Sequence, residues 1–356
     1  MTLIARYLIK QLSITTLYAM FALLALYSFF DIVAEVGGVG EGGYTGIKMM
    51  QYVLLQIPDH AYQMMPLAVL IGGLIALNRL AANSEMTVIK TSGMSTANII
   101  AILLGFGLIF AAATALLGES VAPTANRYAQ NLKTMAKNGK ISTGAQGLWI
   151  KEQNNIINVR EMLPDQSLRG IKVFRHDQNF KLAESWQAES AVIAADGGWK
   201  LSNVRRSILD GDRVRTEKHD GEYWQAGIRG SLLDVLLVNP NQMSLTALTA
   251  YIKHLEDNKQ QADSYKIEWW RKLMYPVATV VMALVALAFT PQSTRHGNMG
   301  LKLFAGICLG LAFHFAGRLF GFTSQLYGVP AFAAAMLPTA AFAAWAVWLI
   351  RKQERR

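Results

Sequence analysis

The sequence predicts an α-helical membrane protein with six transmembrane helices and an inserted all-β, jelly-roll-like domain. Six apolar runs are each long enough to cross roughly 30 Å of hydrocarbon as a helix of about 20 residues. Only 16% of the 356 residues are charged, whereas soluble domains average about 25%. Between the third and fourth runs the pattern changes to short stretches rich in Val, Ile, Trp and Tyr, which is typical of β-strands.

The six runs lie near Leu8–Val33, Ala61–Leu80, Asn98–Gly118, Trp269–Thr290, Leu303–Phe322 and Phe332–Ile350. The first run follows two basic residues as in a signal peptide, but it is long and no cleavage site follows it, so we predict a retained span. The second run contains Pro66 and the pair Gly72–Gly73. Because small residues let neighbouring helices approach closely, this span is expected to pack against protein.

Basic residues beside the spans predict the orientation of the chain. They form four clusters, which are Arg6 with Lys10, Arg79 with Lys90, Arg295 with His296 and Lys302, and the C-terminal stretch RKQERR. With six spans, all four clusters fall on one side, and the positive-inside rule makes that side cytoplasmic. Both termini are then cytoplasmic, while the loop Asp31–Gln51 and the large segment 119–268 lie on the opposite side.

The inserted segment combines predicted strands with a polar helix at each end. The strands are predicted at Leu148–Ile150, Ile156–Arg160, Gly170–Phe174, Trp186–Ile193, Trp199–Val204, Val214–Glu217 and Tyr223–Ile228. Turn signals separate them at Asp196-Gly197-Gly198, Asp210-Gly211-Asp212 and Asp220-Gly221. This spacing favours a sandwich or jelly roll. The polar helices are predicted over Asn126–Asn138 and Ser244–Asn258, so the chain divides into residues 1–124, 125–267 and 268–356.

The polar stretch between the second and third runs reads NRLAANSEMTVIKTSGMS and has the marks of a short helix. Asn83 or Ser84 is placed to accept a hydrogen bond from a free N–H of its first turn. Glu85 lies in that turn, where the helix dipole favours a negative charge. Lys90 lies near the predicted end, and Gly93 is a natural stop.

Met86, Ile89 and Val88 form an apolar stripe on this helix at helical spacing. Such a helix lies along a membrane surface or inserts into a groove of a partner protein. An ordinary amphipathic loop helix has the same pattern, so the stripe alone does not decide between these interpretations.

Several function classes are disfavoured by what the sequence lacks. It contains no G-x-x-x-x-G-K-[ST], H-E-x-x-H, C-x-x-C or G-x-S-x-G motif. The six histidines are scattered without metal-ligand spacing. Basic residues at the ends of apolar runs carry much of the net charge of +10, and there they meet lipid headgroups rather than nucleic acid. We therefore expect neither an enzyme, nor a metal site, nor a nucleic-acid-binding protein.

Ionisable residues at membrane depth are costly and indicate function by default. His314 and Arg318 lie one helical turn apart in span five, Arg271 and Lys272 begin span four, and Lys133 follows span three. Together these cations form a ring at the outer leaflet. Such a ring suits a lipid with an anionic head group, because arginine binds phosphate in a bidentate fork. A snorkelling arginine and a solvated helix face are the alternative interpretations.

The layout and several motifs together resemble a known family. The stretches RLAANSEMTVIKTSGMS after span two, ESVAP after span three and GLWIKEQNNIINV at the β-domain entrance are similar to those of the LptF/LptG permeases of lipopolysaccharide export. The resemblance covers essentially the whole chain and is closer to the LptG branch. It implies a subunit of an ABC-type exporter that extracts lipopolysaccharide from the inner membrane and passes it to a periplasmic jelly-roll bridge towards the outer membrane.

The resemblance also implies partners and a location. The partners are an LptF paralogue in a heterodimer, an LptB ATPase dimer, LptC, and LptA through the jelly-roll bridge. ATP and Mg²⁺ are then bound by the ATPase, and this chain carries no cofactor. The implied location is the bacterial inner membrane, which the chain crosses several times, with a large periplasmic domain.

Candidate site residues follow from the matching motifs. The family's coupling helix matches Asn83–Gly93, with Glu85 at the acidic position that contacts the ATPase. Lys133 matches a basic position after span three that is linked to the lipid's phosphates, and Lys272 matches a basic position entering span four. The predicted ATPase-coupling residues are Arg79, Glu85, Met86, Ile89 and Lys90. The predicted lipid-binding residues are Lys133, Arg318, Arg271, Lys272, His314 and Phe30.

The external end of span one departs from the family, which has several lysines there. The region FFDIVAEVGGVGEGG has no Lys or Arg before Lys48. Either the phosphate contacts lie on the cations of the other spans, or the lipid carries different head-group charges. Asp31 and Glu35 in this region either pair with cations of neighbouring helices or lie in the loop.

Two other functions stay open from the sequence. One is a mechanotransmitting ABC subunit that moves a periplasmic partner and carries no lipid, which has no need of cations at the outer leaflet. The other is a membrane-anchored assembly or receptor protein without an ATPase, in which nothing docks at Glu85.

Overall fold

The computed structural model describes residues 3–137, 141–142, 147–163, 167–177, 181–194, 198–210, 213–225, 239–290 and 299–354. Six of its helices are long and apolar enough to cross a membrane. They are α1 (Leu3–Val36), α2 (Gly46–Ala82), α4 (Thr96–Leu116), α7 (Asp263–Ala288), α8 (Met299–Tyr327) and α9 (Ala331–Glu354). Each overlaps one predicted span, which confirms a multi-pass membrane protein. Arg295 and His296 of the predicted basic clusters lie outside the described residues, as does the Lys302 side chain.

Helix α2 is the centre of the bundle. In its most apolar stretch 89% of the residues are buried, and Leu70 and Leu74 are fully enclosed. The prediction that this span packs against protein is therefore confirmed. The predicted loop Asp31–Gln51 is wrong in its extent, because α1 continues to Val36 and α2 begins at Gly46 behind a Thr45 cap.

A π-helical turn changes the course of the third span. Helix α4 runs into the turn Leu117–Val121 and then directly into α5 (Ala122–Ala136). The polar helix predicted from Asn126 is confirmed as part of α5, while Asn138 lies outside the described residues. Inserted π turns are frequent at functional sites, and this one contains Glu119.

The β domain is inserted between α5 and the last three spans, as predicted. Its strands are β1 (Ile141–Ser142), β2 (Leu148–Glu152), β3 (Asn155–Met162), β4 (Leu168–His176), β5 (Leu182–Ile193), β6 (Trp199–Asp210) and β7 (Arg213–Trp224). All pair antiparallel in one sheet, in the order β3, β4, β5, β6, β7, with β1 and β2 both beside β3. The apolar core of the sheet includes Ile157 and Trp199, each 1% exposed.

One predicted turn is wrong. Strand β7 continues through Asp220-Gly221, and Gly221 pairs with Ser202 of β6. The two strands predicted on either side of this turn are therefore one, because β6 is long enough to pair with the whole of it; Ile228 lies outside the described residues. The turn predicted at Asp210-Gly211-Asp212 agrees with the pairing of Asp210 with Arg213, although Gly211 and Asp212 themselves lie outside the described residues.

The β domain returns to the bundle through a 3₁₀ turn (Pro240–Gln242) and α6 (Leu245–Asp257). Ser244 caps α6 by accepting a hydrogen bond from the Ala247 N–H at 3.2 Å, as expected for a serine at this position. The predicted helix Ser244–Asn258 is thus confirmed together with its two cap residues. Helix α3 (Glu85–Thr91) joins α2 to α4 at one end of the bundle, the α3 end, and the opposite end is the β-domain end.

Candidate functional site

A cavity of about 670 Å³ opens at the β-domain end, between α2, α7, α8 and α9. The 3₁₀ turn that follows the β domain contributes Asn239, Pro240 and Asn241 to its lining. Its wall also includes four of the six predicted lipid-binding residues, namely Arg271, Lys272, His314 and Arg318. Apolar residues such as Phe313 and Pro338 line it as well. A cavity of this size, apolar with a few convergent charges, is typical of a ligand site.

Arg271 joins two helices of the cavity wall. Its guanidinium lies 2.6 Å from a carboxylate oxygen of Glu268, one turn earlier on α7, and donates a second hydrogen bond of 3.1 Å to the Gly317 carbonyl of α8. Because Glu268 already neutralises it, Arg271 contributes less free positive charge to the cavity than its position alone indicates.

Lys272 joins α7, one wall of the cavity, to the chain segment just before α6. The residue is 9% exposed, and its ammonium donates a hydrogen bond to the Met243 carbonyl, just before the cap of α6. It also lies over the Tyr62 ring, 5.5 Å from the centroid. These contacts place Lys272 at the edge of the cavity beside α6, where it holds the start of α6 on α7.

Arg318 and His314 lie one turn apart on α8, and both line the cavity as the sequence predicts. Across the described part of the chain, Arg318 takes part in no ion pair, whereas the neighbouring Arg271 does. An unpaired guanidinium beside an apolar cavity is well placed to bind a phosphate group.

Lys133 lies on α5, outside this cavity. Its ammonium is 2.6 Å from Glu35 of α1 and 4.8 Å from the centroid of the Tyr52 ring on α2. Next to it, Lys137 is 2.7 Å from Glu41. The hydrogen bond from Lys137 lowers the pKa of the Glu41 carboxyl. The structure thus ties the acidic end of α1 to the cations of α5, which is one of the two arrangements open from the sequence.

We expect Lys133 and Glu35 to be energetically coupled. Each single alanine substitution leaves one partly buried charge without its partner, so the double variant should be more stable than the sum of the two losses indicates, by about 1 kcal/mol. Unfolding of the detergent-solubilised chain measures this coupling in a double-mutant cycle. Strictly additive losses would contradict the ion pair. Glu41→Ala with Lys137→Ala gives the comparison with a more exposed pair.

Phe30 lies on an open face of α1, with 59% of its surface exposed. In the most apolar window of α1 only 11% of the residues are buried, and in that of α8 only 17%. The large apolar residues exposed on these two helices include Phe21, Phe29 and Phe30 of α1 and Phe315, Leu319 and Phe322 of α8. These two faces are available for lipid or for another protein.

Helix α3 carries the predicted coupling residues at the other end of the bundle. Glu85 opens the helix, and its carboxylate accepts hydrogen bonds from the Tyr7 hydroxyl at 2.7 Å and the Asn83 amide at 3.2 Å. The predicted cap is wrong: Ser84 has a left-handed backbone and no capping hydrogen bond, and the Asn83 amide instead donates to Glu85. Gly93, with φ +92°, follows the end of α3 as predicted.

The predicted coupling residues fall into two groups. Arg79, Glu85 and Lys90 lie at the surface, whereas Met86 and Ile89, each 8% exposed, pack into the core of the bundle. The apolar stripe therefore fixes α3 to its own chain. Val88, which is 65% exposed, is the apolar residue of α3 that is open to a partner.

Two residues at these sites were missed from the sequence. Tyr7 reaches Glu85 from α1, and nothing in the local pattern around Tyr7 indicates this contact. Glu119, in the π turn, accepts a hydrogen bond of 2.8 Å from the Leu245 N–H at the start of α6. The position of Glu119 at the end of an apolar span is the sequence feature that could have indicated such a contact, because acidic residues at membrane depth need partners.

Comparison with known proteins agrees with this architecture. The chain is 28% identical to the lipopolysaccharide export system permease protein LptG of Escherichia coli K12 and of Haemophilus influenzae, in each case over 98% of both chains. It is 26% identical to LptF of Escherichia coli K12 over 60% of this chain and 56% of that protein. The family profile described as lipopolysaccharide export system permease LptF/LptG matches residues 6–352. The chain therefore belongs to the LptF/LptG family of lipopolysaccharide export permeases.

Proposed function

We propose that this chain is the LptG-type subunit of an ATP-driven exporter that extracts lipopolysaccharide from the inner membrane and passes it to a periplasmic jelly-roll bridge. The observation that carries this proposal is the cavity at the β-domain end, where Arg318 and His314 lie beside apolar residues and under the 3₁₀ turn that leads from the β domain. A charged, concave site next to the exit of the bundle suits a phosphorylated lipid on its way out.

In this proposal Arg318 binds a phosphate of the lipid in a bidentate fork, and His314 lies one turn away on the same wall. The acyl chains lie along the open apolar faces of α1 and α8, where Phe30 is exposed. Arg271 and Lys272 mainly hold the wall and its edge beside α6 together, because both already have partners. Lys133 reaches a phosphate after exchange of its Glu35 partner.

The open faces of α1 and α8 also set the requirement for protein partners. Faces this apolar are stable in a bilayer, but a cavity closed on all sides needs a second subunit. We propose that an LptF paralogue completes the cavity, that LptC joins at the same boundary, and that LptA receives the lipid from the β domains.

The driving force is proposed to enter at the α3 end. Arg79, Glu85 and Lys90 offer an exposed charged surface to a separate LptB ATPase, which binds ATP and Mg²⁺, while this chain holds no nucleotide. Because Met86 and Ile89 anchor α3 in the bundle core, a push on α3 is passed to α2 and α4. The Tyr7–Glu85 hydrogen bond adds α1 to the moving unit.

The proposed orientation of the chain in the membrane rests on the basic residues at the α3 end. Arg6, Lys10, Arg79 and Lys90 lie at the α3 end, which we propose to be cytoplasmic. The β domain then lies in the periplasm, on the far side of the inner membrane.

Site-specific photo-crosslinking tests the proposal. Probes replace Phe30, Lys133 and Arg318, together with Ile157 in the apolar core of the β sheet, in cells with and without an active ATPase. We expect ATP-dependent crosslinks to lipopolysaccharide at Phe30 and Arg318. A probe at Leu108, which is 61% exposed on α4, controls for contact with bulk lipid.

The outcomes separate the competing functions. Crosslinks at the spans but none at Ile157 keep the exporter and assign the bridge to the paralogue's β domain. Absence of lipopolysaccharide crosslinks with the ATPase still bound favours a mechanotransmitting subunit that carries no lipid. Absence of both favours a membrane-anchored assembly protein.

A further inference from the structure

The outer face of the β sheet, opposite its apolar core, carries a groove that the proposed export path does not use. One row of residues, which we call the crease, crosses the strands. At this row the backbone pairing between neighbouring strands is missing, while the register on either side of it is the same. The crease consists of Arg160, Gly170, Glu189, Asn203 and Asp220. A groove of about 490 Å³ opens along it.

The backbone of the crease is built to form this groove. Gly170 has a φ of +65°, and a Cβ added there would lie 2.9 Å from the Arg160 Cβ. Asn203 has a φ of +52°, although it is not glycine, and its amide donates a hydrogen bond of 2.6 Å to Glu189. A left-handed non-glycine residue is uncommon in a strand, and such positions cluster at ligand sites.

Next to the crease lies a row of three cations and one glutamine, the basic row. Lys172, Gln187, Arg205 and Lys218 are successive cross-strand partners on β4, β5, β6 and β7. Arg205 is directly opposite Lys218, an arrangement that destabilises a sheet because like charges are adjacent. Within the described ranges, none of these three cations takes part in an ion pair, and all three line the groove.

On the opposite face of the same strands, the charged side chains form ion pairs. There Arg206 lies 2.7 Å from Glu184 and 2.5 Å from Glu222, and Glu184 also meets Arg175 at 3.1 Å. The sheet thus pairs its arginines with carboxylates on the inner face and leaves the basic row unpaired on the outer face. Self-repulsion of the basic row is relieved when an anion binds to it.

The lining of the groove is cationic overall. Four basic side chains, from Arg160 and the basic row, line it together with two carboxylates, Glu189 and Asp220. One of these carboxylates already accepts the hydrogen bond from Asn203. His219, also in the lining, lies 3.7 Å from Glu217.

We propose that this groove binds a phosphate-bearing ligand. Arg205 supplies a planar fork for two phosphate oxygens, and Lys172 and Lys218 supply point charges on either side of it. The volume lies in the usual range for small ligands and headgroups, about 300–1,000 Å³, and a concave site suits such a group better than the face of an acidic protein. The site stands independently of the export path proposed above.

Lysine acylation of the purified full-length chain, read by mass spectrometry, tests the site with inorganic pyrophosphate as the probe. We expect pyrophosphate to slow the labelling of Lys172 and Lys218 and to leave Lys200, which is exposed on the same sheet, unchanged. Arg205→Gln should raise the half-protecting concentration about tenfold, because hydrogen bonds to charged groups are strong. Arg215→Gln, at an exposed arginine of β7 outside the groove, is the matched control.

Further experiments distinguish a lipid headgroup from a soluble phosphate compound, and both of these from an acidic protein. Protection by vesicles containing phosphatidylglycerol as well as by pyrophosphate identifies a lipid headgroup as ligand, while protection by pyrophosphate alone identifies a soluble one. Equal slowing at Lys200 and Lys218, or protection by polyglutamate without protection by pyrophosphate or vesicles, overturns the proposal.

The melting temperature tests the site with a variant that is expected to fold at least as well as the native chain. Lys218→Thr should raise the melting temperature without phosphate, because it relieves the repulsion opposite Arg205, and should reduce the stabilisation by pyrophosphate. An unchanged response to pyrophosphate contradicts the site. Lipopolysaccharide crosslinks at Arg318 should persist in Arg205→Gln, so failure of this site and failure of the export proposal are distinguishable.

Discussion

Substitution of Glu85 by lysine is expected to reduce lipopolysaccharide export to background while the chain stays folded. The carboxylate is partly exposed at the start of α3, where it accepts hydrogen bonds from Tyr7 and Asn83. Lysine removes both acceptors and puts a positive charge in a first helical turn, which the helix dipole disfavours by about 0.3–1 kcal/mol. Met86 and Ile89 still anchor α3 in the core, so the loss concerns the partner surface.

Export is measured as ATP-dependent release of lipopolysaccharide from proteoliposomes that contain the chain together with the proposed LptF and LptB partners. Thr87→Lys is the matched control, because it introduces the same side chain at an exposed position of the same helix and leaves Glu85 in place. Glu85→Gln keeps an acceptor for Tyr7 and removes only the charge, so it separates docking from positioning. Equal export by Glu85→Lys and Thr87→Lys would remove Glu85 from the coupling surface.

The six spans could be predicted because hydropathy reports directly on the bilayer, but their ends could not. Helix α2 begins at Gly46, well before the apolar run that starts at Ala61. The intervening turns include Asp59, which is 4% exposed because neighbouring helices cover it. Burial by protein permits polar residues that burial by lipid excludes, so hydropathy alone places the start of this helix too late in the chain.

The position of the cations could be predicted, whereas their partners could not. Arg271, Lys272, His314 and Arg318 meet in one cavity because they lie near the same end of adjacent spans. The partner of Lys133 is 98 residues away in the sequence, and the contact depends on how α1 and α5 each pack on α2.

Helix α3 illustrates a similar limit of periodicity. The spacing of Met86 and Ile89 indicates correctly that they share a face. Periodicity does not identify what covers that face, and here it is the chain's own core rather than a partner. The same holds for Val88, whose exposure depends on the turn by which α2 leads into α3.

Gly72→Ala is expected to loosen α1 from the bundle and to destabilise the chain by about 3 kcal/mol, near the upper end of overpacking effects. A Cβ on Gly72 of α2 would lie 2.3 Å from the Cα and 2.5 Å from the N of Thr16 in α1. Backbone atoms cannot rotate away as side chains do, so the two helices must separate. Because α1 is held mainly by α2, its smaller contacts with α3, α4 and α5 compensate for only part of that separation.

Gly105→Ala on α4 is the matched control, because a Cβ at Gly105 has no atom within 4 Å. Alanine is a better helix former than glycine by about 1 kcal/mol, so this variant should be as stable as the native chain or slightly more stable. Unfolding in detergent measures the difference, and co-purification of the paralogue reports on the open face of α1. Equal stability of the two variants would mean that α1 shifts freely on α2, in which case α1 rather than α3 would be the mobile element of the export cycle.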